Sequence, residues 1–352
     1  MDDAARDRLL RLLAAFGPSG REAEAIALWS ELAADVGPVE EDALGSATVA
    51  VGPADAPAVL LLGHIDQIGL IVTHIEDEGI IRIRNIGGWD ARVLVGQRVL
   101  IRTQDGDLPG VIGSVPIHLQ KPEDRTAGIA LKDLWVDVGA KDGEEARRRV
   151  RIGDVAIVGE PPCELLGTRL TSRALDDRVG AWIALEAVRR LAARGAPAIR
   201  VVAAACTMEE TLGDGARVVA DRVGAALAIV IDVTHAADVP SVDKGQTGPQ
   251  RLGSGPVITR GIGLTDSVAE RLIATAEAEG IPYALEALAG GGSTATDVDG
   301  ALDAVRGLRA ALIGVPLRHM HSPAEVCDID DLDACADLIA AFCASLGPAD
   351  LA

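Results

Sequence analysis

Short runs that are apolar at every position alternate with amphipathic stretches along most of this chain. Residues 3–16 and 21–36 carry apolar side chains at helical spacing, separated by the breaker Gly17-Pro18-Ser19-Gly20. Residues 58–63 (AVLLLG) are wholly apolar, the pattern of a strand buried on both faces. Residues 199–207 and 225–231 repeat it, the second ending on Asp232, and 311–316 is the last such run. Helical spacing marks the second half of 169–190, then 265–279 with Thr265 as N-cap, and finally a C-terminal helix capped near Asp328 or Asp330. Strands alternating with helices in this way predict an α/β fold with a sheet flanked by helices.

Between residues 69 and 159 the texture changes. The segment shows no helical pattern longer than a few turns, only short runs at 80–84, 98–103, 134–138 and 154–158. Asp105-Gly106 between two such runs is a hairpin signal. An all-β insert over 69–159 is predicted, interrupting an α/β domain formed by 1–68 and 160–352.

Composition narrows the function. Aromatic residues are only 2% of the chain, so Ala, Val, Leu and Ile must build the core. A net charge of -20 disfavours a phosphate backbone, so nucleic acid is not expected as a partner. The acidic start MDDAARDRLL lacks a leader pattern, and no apolar run reaches the ~18 residues of a membrane span, so no membrane is expected. Five cysteines without a CxxC spacing read as reduced thiols, which places the chain in the cytoplasm.

The candidate chemistry lies where the apolar runs stop. Residues 201–215 (VVAAACTMEETLGDG) pass from a strand pattern into the adjacent acids Glu209 and Glu210. Ligands in open α/β sheets sit beyond the carboxyl ends of strands, and two acids there can divide the work of metal ligand and proton acceptor. The run at 58–63 ends at His64-Ile65-Asp66, the one at 225–231 at Asp232, and the last is followed by His319-Met320-His321. Asp176 and Asp177 open a helix, a placement the helix dipole alone would favour. One sheet would bring these ends together, and carboxylates at that density repel unless cations lie between them. Mixed oxygen and nitrogen donors suit zinc, cobalt or manganese rather than a closed cysteine site. The charges of Asp176, Glu210, Asp232 and a bridging hydroxide balance two divalent ions. The glycine-rich loop 288–296 has neither the strand-GxGxxG-helix context of a dinucleotide site nor a P-loop. His74, His118, His235 and His319 have no spacing that assigns them a ligand role.

Several stretches together resemble the glutamyl aminopeptidase / cellulase M family of dinuclear metallo-aminopeptidases, which includes the tetrahedral aminopeptidases. They are GHIDQIGLIV (63–72), VIGSVPIHLQKPEDR (111–125), LWVDVGAKDGEEA (134–146), RALDDRVG (173–180), MEETLGDGA (208–216), IDVTHAADVP (231–240) and HMHSPAEV (319–326). The resemblance implies a zinc-exopeptidase-like catalytic domain, a barrel-like insert, peptide substrates and homo-oligomers, dimers assembling into a dodecamer through the insert. It implies His64 and Asp232 as terminal ligands of one metal and Glu210 and His321 of the other. Asp176 would bridge them through a cis peptide to Asp177, Glu209 would be the general base, and Asp66 would orient His64. The alternatives are a dinuclear-metal deacylase of another amide and an inactive, metal-stabilised assembly. A glycosidase needs two carboxylates flanking a sugar, which metal ligation would preclude.

Three departures from the family's pattern stand out, the first two where substrate selection is expected. Gln67 stands where the family usually has Glu, which removes a charge expected beside the site. The Gly-Thr-Asp loop appears as Ser293-Thr294-Ala295-Thr296-Asp297, and Thr211-Leu212-Gly213 follows the two glutamates where Val-Gly-Leu is commoner.

Overall fold

The computed structural model describes residues 1–121, 128–289 and 293–352; residues 122–125 of the quoted 111–125 stretch and 290–292 of the glycine-rich loop lie outside it. Helices α1 (Asp3–Ala14) and α2 (Ala23–Ala33) form where their spacing predicts, and Asp2 caps α1 by accepting from the Ala5 amide. Strands β1 (Val39–Glu41), β2 (Ala47–Val51) and β3 (Ala58–His64) follow. Next come β4 (Gly69–Ile75), β5 (Ile81–Ile86), β6 (Arg98–Thr103), β7 (Gly106–Gly113), β8 (Trp135–Asp137), the short helix α3 (Gly143–Arg149) and β9 (Val155–Val158). These six strands close into a barrel in the order β4-β5-β8-β7-β6-β9, and the Asp105-Gly106 turn joins β6 to β7. Leu70, Val72, Ile83, Ile101, Ile112 and Val136 pack in its core. Phe16 fastens the barrel to the main body: it packs on Val155 and Ile157, and the Arg102 guanidinium lies 4.0 Å over its ring.

The chain then runs through β10 (Cys163–Glu164), β11 (Arg169–Ser172), α4 (Leu175–Arg194), β12 (Arg200–Cys206), α5 (Asp214–Val223), β13 (Leu227–His235) and α6 (Lys244–Thr247). It ends with β14 (Val257–Gly261), α7 (Asp266–Glu279), β15 (Ala284–Leu288), α8 (Asp297–Ala304), β16 (Arg309–Leu317), β17 (Glu325–Asp328) and α9 (Ile329–Ala344). Asp328 caps α9 by accepting from the Asp330 amide. Among the described residues, no helix is long and apolar enough to cross a membrane.

An eight-stranded mixed sheet runs β1-β2-β12-β3-β13-β16-β14-β15. Its four central strands, β12, β3, β13 and β16, are parallel, so their carboxyl ends share one edge. Those strands read as apolar throughout because both faces are covered. Val59 and Leu61 join the core under α1, α4 and α9, while Leu60 and Leu62 join the one under α5 and α8. The two tryptophans buried here find acceptors, Trp29 Nε1 on the Ala181 carbonyl at 3.0 Å and Trp182 Nε1 on the Ala5 carbonyl at 3.1 Å. Gly63 lets α4 lie directly on the sheet, since a Cβ there would collide with the Gly180 and Ala181 backbone. That close seating sets the start of α4 against the strand ends.

Two local expectations need correction. Strand β13 does not stop at Asp232 but continues to His235, because Asp232–His235 pair with Gly314–Leu317 of β16. The 311–316 run is not the last strand, since β17 follows and pairs with β11. Thr265 is the N-cap of α7 as its position predicts, although its hydroxyl does not bond the helix and instead accepts from the Ala310 amide at 3.2 Å. Strand β14 and helix α8 were not anticipated.

Candidate metal centre

The edge formed by the parallel strands holds all of the acids and the two histidines singled out above. His64 ends β3 and is 2% exposed. Cys206, its partner on β12, leads through Thr207 and Met208 to Glu209 and Glu210. Asp232 lies two residues beyond the Val230–Leu62 pair on β13. His321 follows β16, and Asp176 sits in the first turn of α4.

Asp176 stands at the centre. Its Oδ1 lies 3.2 Å from His64 Nε2, and its Oδ2 lies 3.3 Å from His321 Nε2. Glu210 Oε2 is 3.4 Å from the same His321 nitrogen, and Glu209 Oε2 is 3.7 Å from His64 Nε2. Two groups result, His64-Asp176-Asp232 and Asp176-Glu210-His321, each with its donor atoms within 4.8 Å of one another. The Asp176-Asp177 peptide is cis.

A second layer fixes these side chains. Asp66 accepts from the Glu209 and Glu210 amides, both at 3.1 Å, and its Oδ1 lies 3.4 Å from His64 Nδ1, at the limit of a hydrogen bond. Asp177 accepts from the His64 amide at 3.2 Å and the Gly180 amide at 3.1 Å. Glu325, 2% exposed, accepts from the Asp176 amide at 3.1 Å and the His321 amide at 2.9 Å, so one carboxylate positions two of the donors. The quoted motifs contain Glu325 and Asp177, but no spacing rule distinguishes such anchors from surface acids.

The electrostatics are those of a cation site. Burial pushes the Glu210 and Asp232 carboxyls well above the usual range, and Asp176 adds to both. Burial likewise raises Glu209, against the opposing pull of His64. Burial opposes ionisation of Asp176 too, but hydrogen bonds from His321 and His64 outweigh it and hold this carboxyl below its ordinary value. Burial alone would lower His64, yet Asp176 and Asp66 raise it well above the imidazole range. Among the described residues, Glu210 Oε1 is buried without a hydrogen-bond donor. Carboxylates and imidazoles crowded this way fit divalent cations, which would satisfy the orphaned oxygen and neutralise the acids.

A cavity of about 480 Å³ opens onto these groups, and its wall brings in further residues, among them Ala295 and Thr296 of the altered 293–297 loop. Gly88, from the segment after β5, stands against His321, where a Cβ would lie 3.0 Å from Nδ1. Thr234 and His235 line the wall beyond Asp232, with Met320 next to His321. Ala295 and Thr296 complete the wall. Their loop is held by Asp299, which accepts from the Ser293 hydroxyl at 2.6 Å, the Thr294 hydroxyl at 3.0 Å and the Ala295 amide at 3.2 Å. His235 thus faces the cavity because β13 outruns its apolar stretch. Gln67 does not line it. It is 2% exposed, and its Oε1 accepts from Arg173 Nη1 at 3.2 Å, so the charge difference at this position faces a buried arginine rather than substrate.

Parallel strand ends carrying clustered acid and imidazole donors, under a cavity of peptide size, define a metal-dependent hydrolase. Residues 45–338 match the model of the M42 glutamyl aminopeptidase family, and the chain belongs to that family. It is an aminopeptidase. It is 33% identical to the lysyl aminopeptidase of Pyrococcus furiosus over 315 residues, covering 89% of this chain and 88% of the relative. The TET aminopeptidase of a Thaumarchaeota archaeon from marine sediment superposes with a TM-score of 0.94 at 31% identity, covering 100% of both chains. The TET1 peptidase of Pyrococcus horikoshii, which can assemble into a tetrahedron or a large octahedral shell, superposes with a TM-score of 0.85 at 30% identity over 97% of this chain and 100% of that one.

Proposed function

We propose that the chain removes N-terminal residues from peptides with two divalent ions, most simply zinc, held by the two donor groups. His64 and Asp232 would hold one ion, Glu210 and His321 the other, and Asp176, which belongs to both groups, would serve each of them. The observation that carries this reading is the division of Asp176, one oxygen toward each imidazole. Bound there, the ions supply Lewis acidity toward a scissile carbonyl and lower the pKa of a water towards ~7. Glu209, raised by burial and facing the same cavity without a place in either triad, accepts the water's proton and returns it to the leaving amine. Asp66 holds both glutamates through their amides and orients His64. The closed barrel would serve as the assembly domain, building a dodecamer from dimers. The assembly of the TET1 relative into a tetrahedron or a large octahedral shell supports a large homo-oligomer.

Glu209→Gln tests the chemistry, because it keeps the shape but not the titratable oxygen. The variant should retain its metal content while kcat falls by roughly 10²–10⁴. Activity within a few-fold of the native enzyme, with metals bound, would remove Glu209 from the base role. Turnover of acyl amides but not aminoacyl amides by the native enzyme would favour a deacylase.

A further inference from the structure

Behind the cavity wall beyond Asp232, in contact with the wall residue Thr234, lies a carboxylate that the metal chemistry does not use. Glu286, half-buried on the edge strand β15, directs both oxygens at the Thr234 hydroxyl, each at 3.0 Å. Gln250 Nε2 donates to it at 3.4 Å, and the Thr259 hydroxyl faces it as well. Those partners are neutral. Among the described residues, no Lys or Arg pairs with Glu286, on a chain that otherwise pairs its acids with arginine repeatedly. Burial accordingly raises this carboxyl, Thr234 and the neighbouring His235 opposing it. A partly desolvated carboxylate with only neutral donors lacks the counter-charge that would repay its desolvation.

We propose that Glu286 is the specificity-determining residue for the side chain of the N-terminal residue, and that it selects the basic class, lysine and arginine. The inference rests on the aminopeptidase reading of the metal centre. Thr234 lines the cavity and lies on the same strand as Asp232, two residues on, which is about 6.5 Å along β13 and on the same face. An extended lysine side chain spans about the same distance from its Cα, so a residue whose carbonyl sits over the metals can bring its cation alongside Thr234, whose hydroxyl Glu286 holds. An acidic side chain would meet this carboxylate as a like charge. An aliphatic one would leave it unpaired.

The test is a panel of lysyl, arginyl, leucyl and glutamyl p-nitroanilides, run on the metal-loaded native chain and on Glu286→Gln. The native enzyme should turn over the lysyl and arginyl substrates with the highest kcat/KM. In Glu286→Gln the lysyl-to-leucyl ratio should fall about 10- to 100-fold, the worth of a hydrogen bond to a charged group, mainly through KM. Glu286→Lys should move the preference toward the glutamyl substrate. A native preference for leucyl or glutamyl substrates, or an equal loss on all four in Glu286→Gln, overturns the assignment while leaving the aminopeptidase reading in place. No turnover of any of the four by the metal-loaded native enzyme would overturn both.

Discussion

Gln67→Glu should stabilise this protein without changing which substrates it prefers. Gln67 sits against Arg173, one of two arginines that cap the end of α1. Arg173 is 7% exposed and donates to the Leu13, Ala14 and Ala15 carbonyls at 3.1, 2.7 and 3.4 Å as well as to Gln67. Arg178 is fully buried and reaches Leu12, Ala15 and Ile65 at 3.0, 2.6 and 3.0 Å. Burial lowers Arg173 to about 10, and burial with the neighbouring Arg173 lowers Arg178 to about 9. The partial negative charge of a helix end offsets only part of two buried cations. Gln67 Nε2 is a further cost, a buried donor without an acceptor among the described residues. A glutamate replaces that donor with an oxygen, relieving an orphan worth about 1–3 kcal/mol, and turns a neutral acceptor into a charged one worth about 1 kcal/mol more. Desolvating the new carboxylate takes back a comparable share, so the net gain should be about 1–2 kcal/mol. Urea unfolding at pH 7 should show a higher midpoint at unchanged slope. The gain should disappear below about pH 4, where the protonated side chain is again a neutral acceptor. A variant less stable than the native protein, or one whose lysyl-to-leucyl ratio rises several-fold, would refute the argument that this position faces arginine rather than substrate.

Other outcomes follow from the same geometry. Asp176→Ala should lose both metal ions, because each donor group contains this residue; retention of two ions by elemental analysis would contradict the bridge. Light scattering of the full chain should report an assembly many times the protomer mass, and a monomer at micromolar concentration would remove the barrel's proposed assembly role. Asp331, 1% exposed, accepts from the Gly253 and Gly255 amides, both at 2.7 Å, yet burial raises it from 3.8 to about 6. The folded state therefore holds its proton more tightly than the unfolded chain. Its contribution is fully present below pH 3.8 and is lost as pH rises through 6, up to about 3 kcal/mol. Unfolding of Asp331→Asn measured from pH 4 to 7 should lack that part of the native slope, and an identical slope would show that Asp331 does not titrate there.

What the sequence alone determined is what one-dimensional patterning records. A strand segment buried on both faces must be apolar at every position, so β3, β12 and much of β13 announced themselves, and the polar residues stood out where the apolar runs stop, whether or not the strand itself ends there. His64, Glu209, Glu210 and Asp232 were legible for that reason, and the barrel segment was legible because its short alternating runs carried no helical period. Weak local signals were missed where tertiary contacts supply the stability. Helix α8 carries three aspartates and Gly300, a poor helix former. It is held because Gly300 brings it close to the Gly213 carbonyl at the start of α5. Strand β14 pairs with β16 over only Val257 and Ile258. The tertiary structure alone decided what each polar side chain faces. Whether Gln67 meets substrate or Arg173 depends on a contact across 106 residues, and the approach of Glu325 to Asp176 spans 149. Glu286 reaches Thr234 from β15, at the edge of the sheet, and the two are not adjacent in strand order. Periodicity gives a side chain its face on an element; only the packing of one element on another gives it a partner.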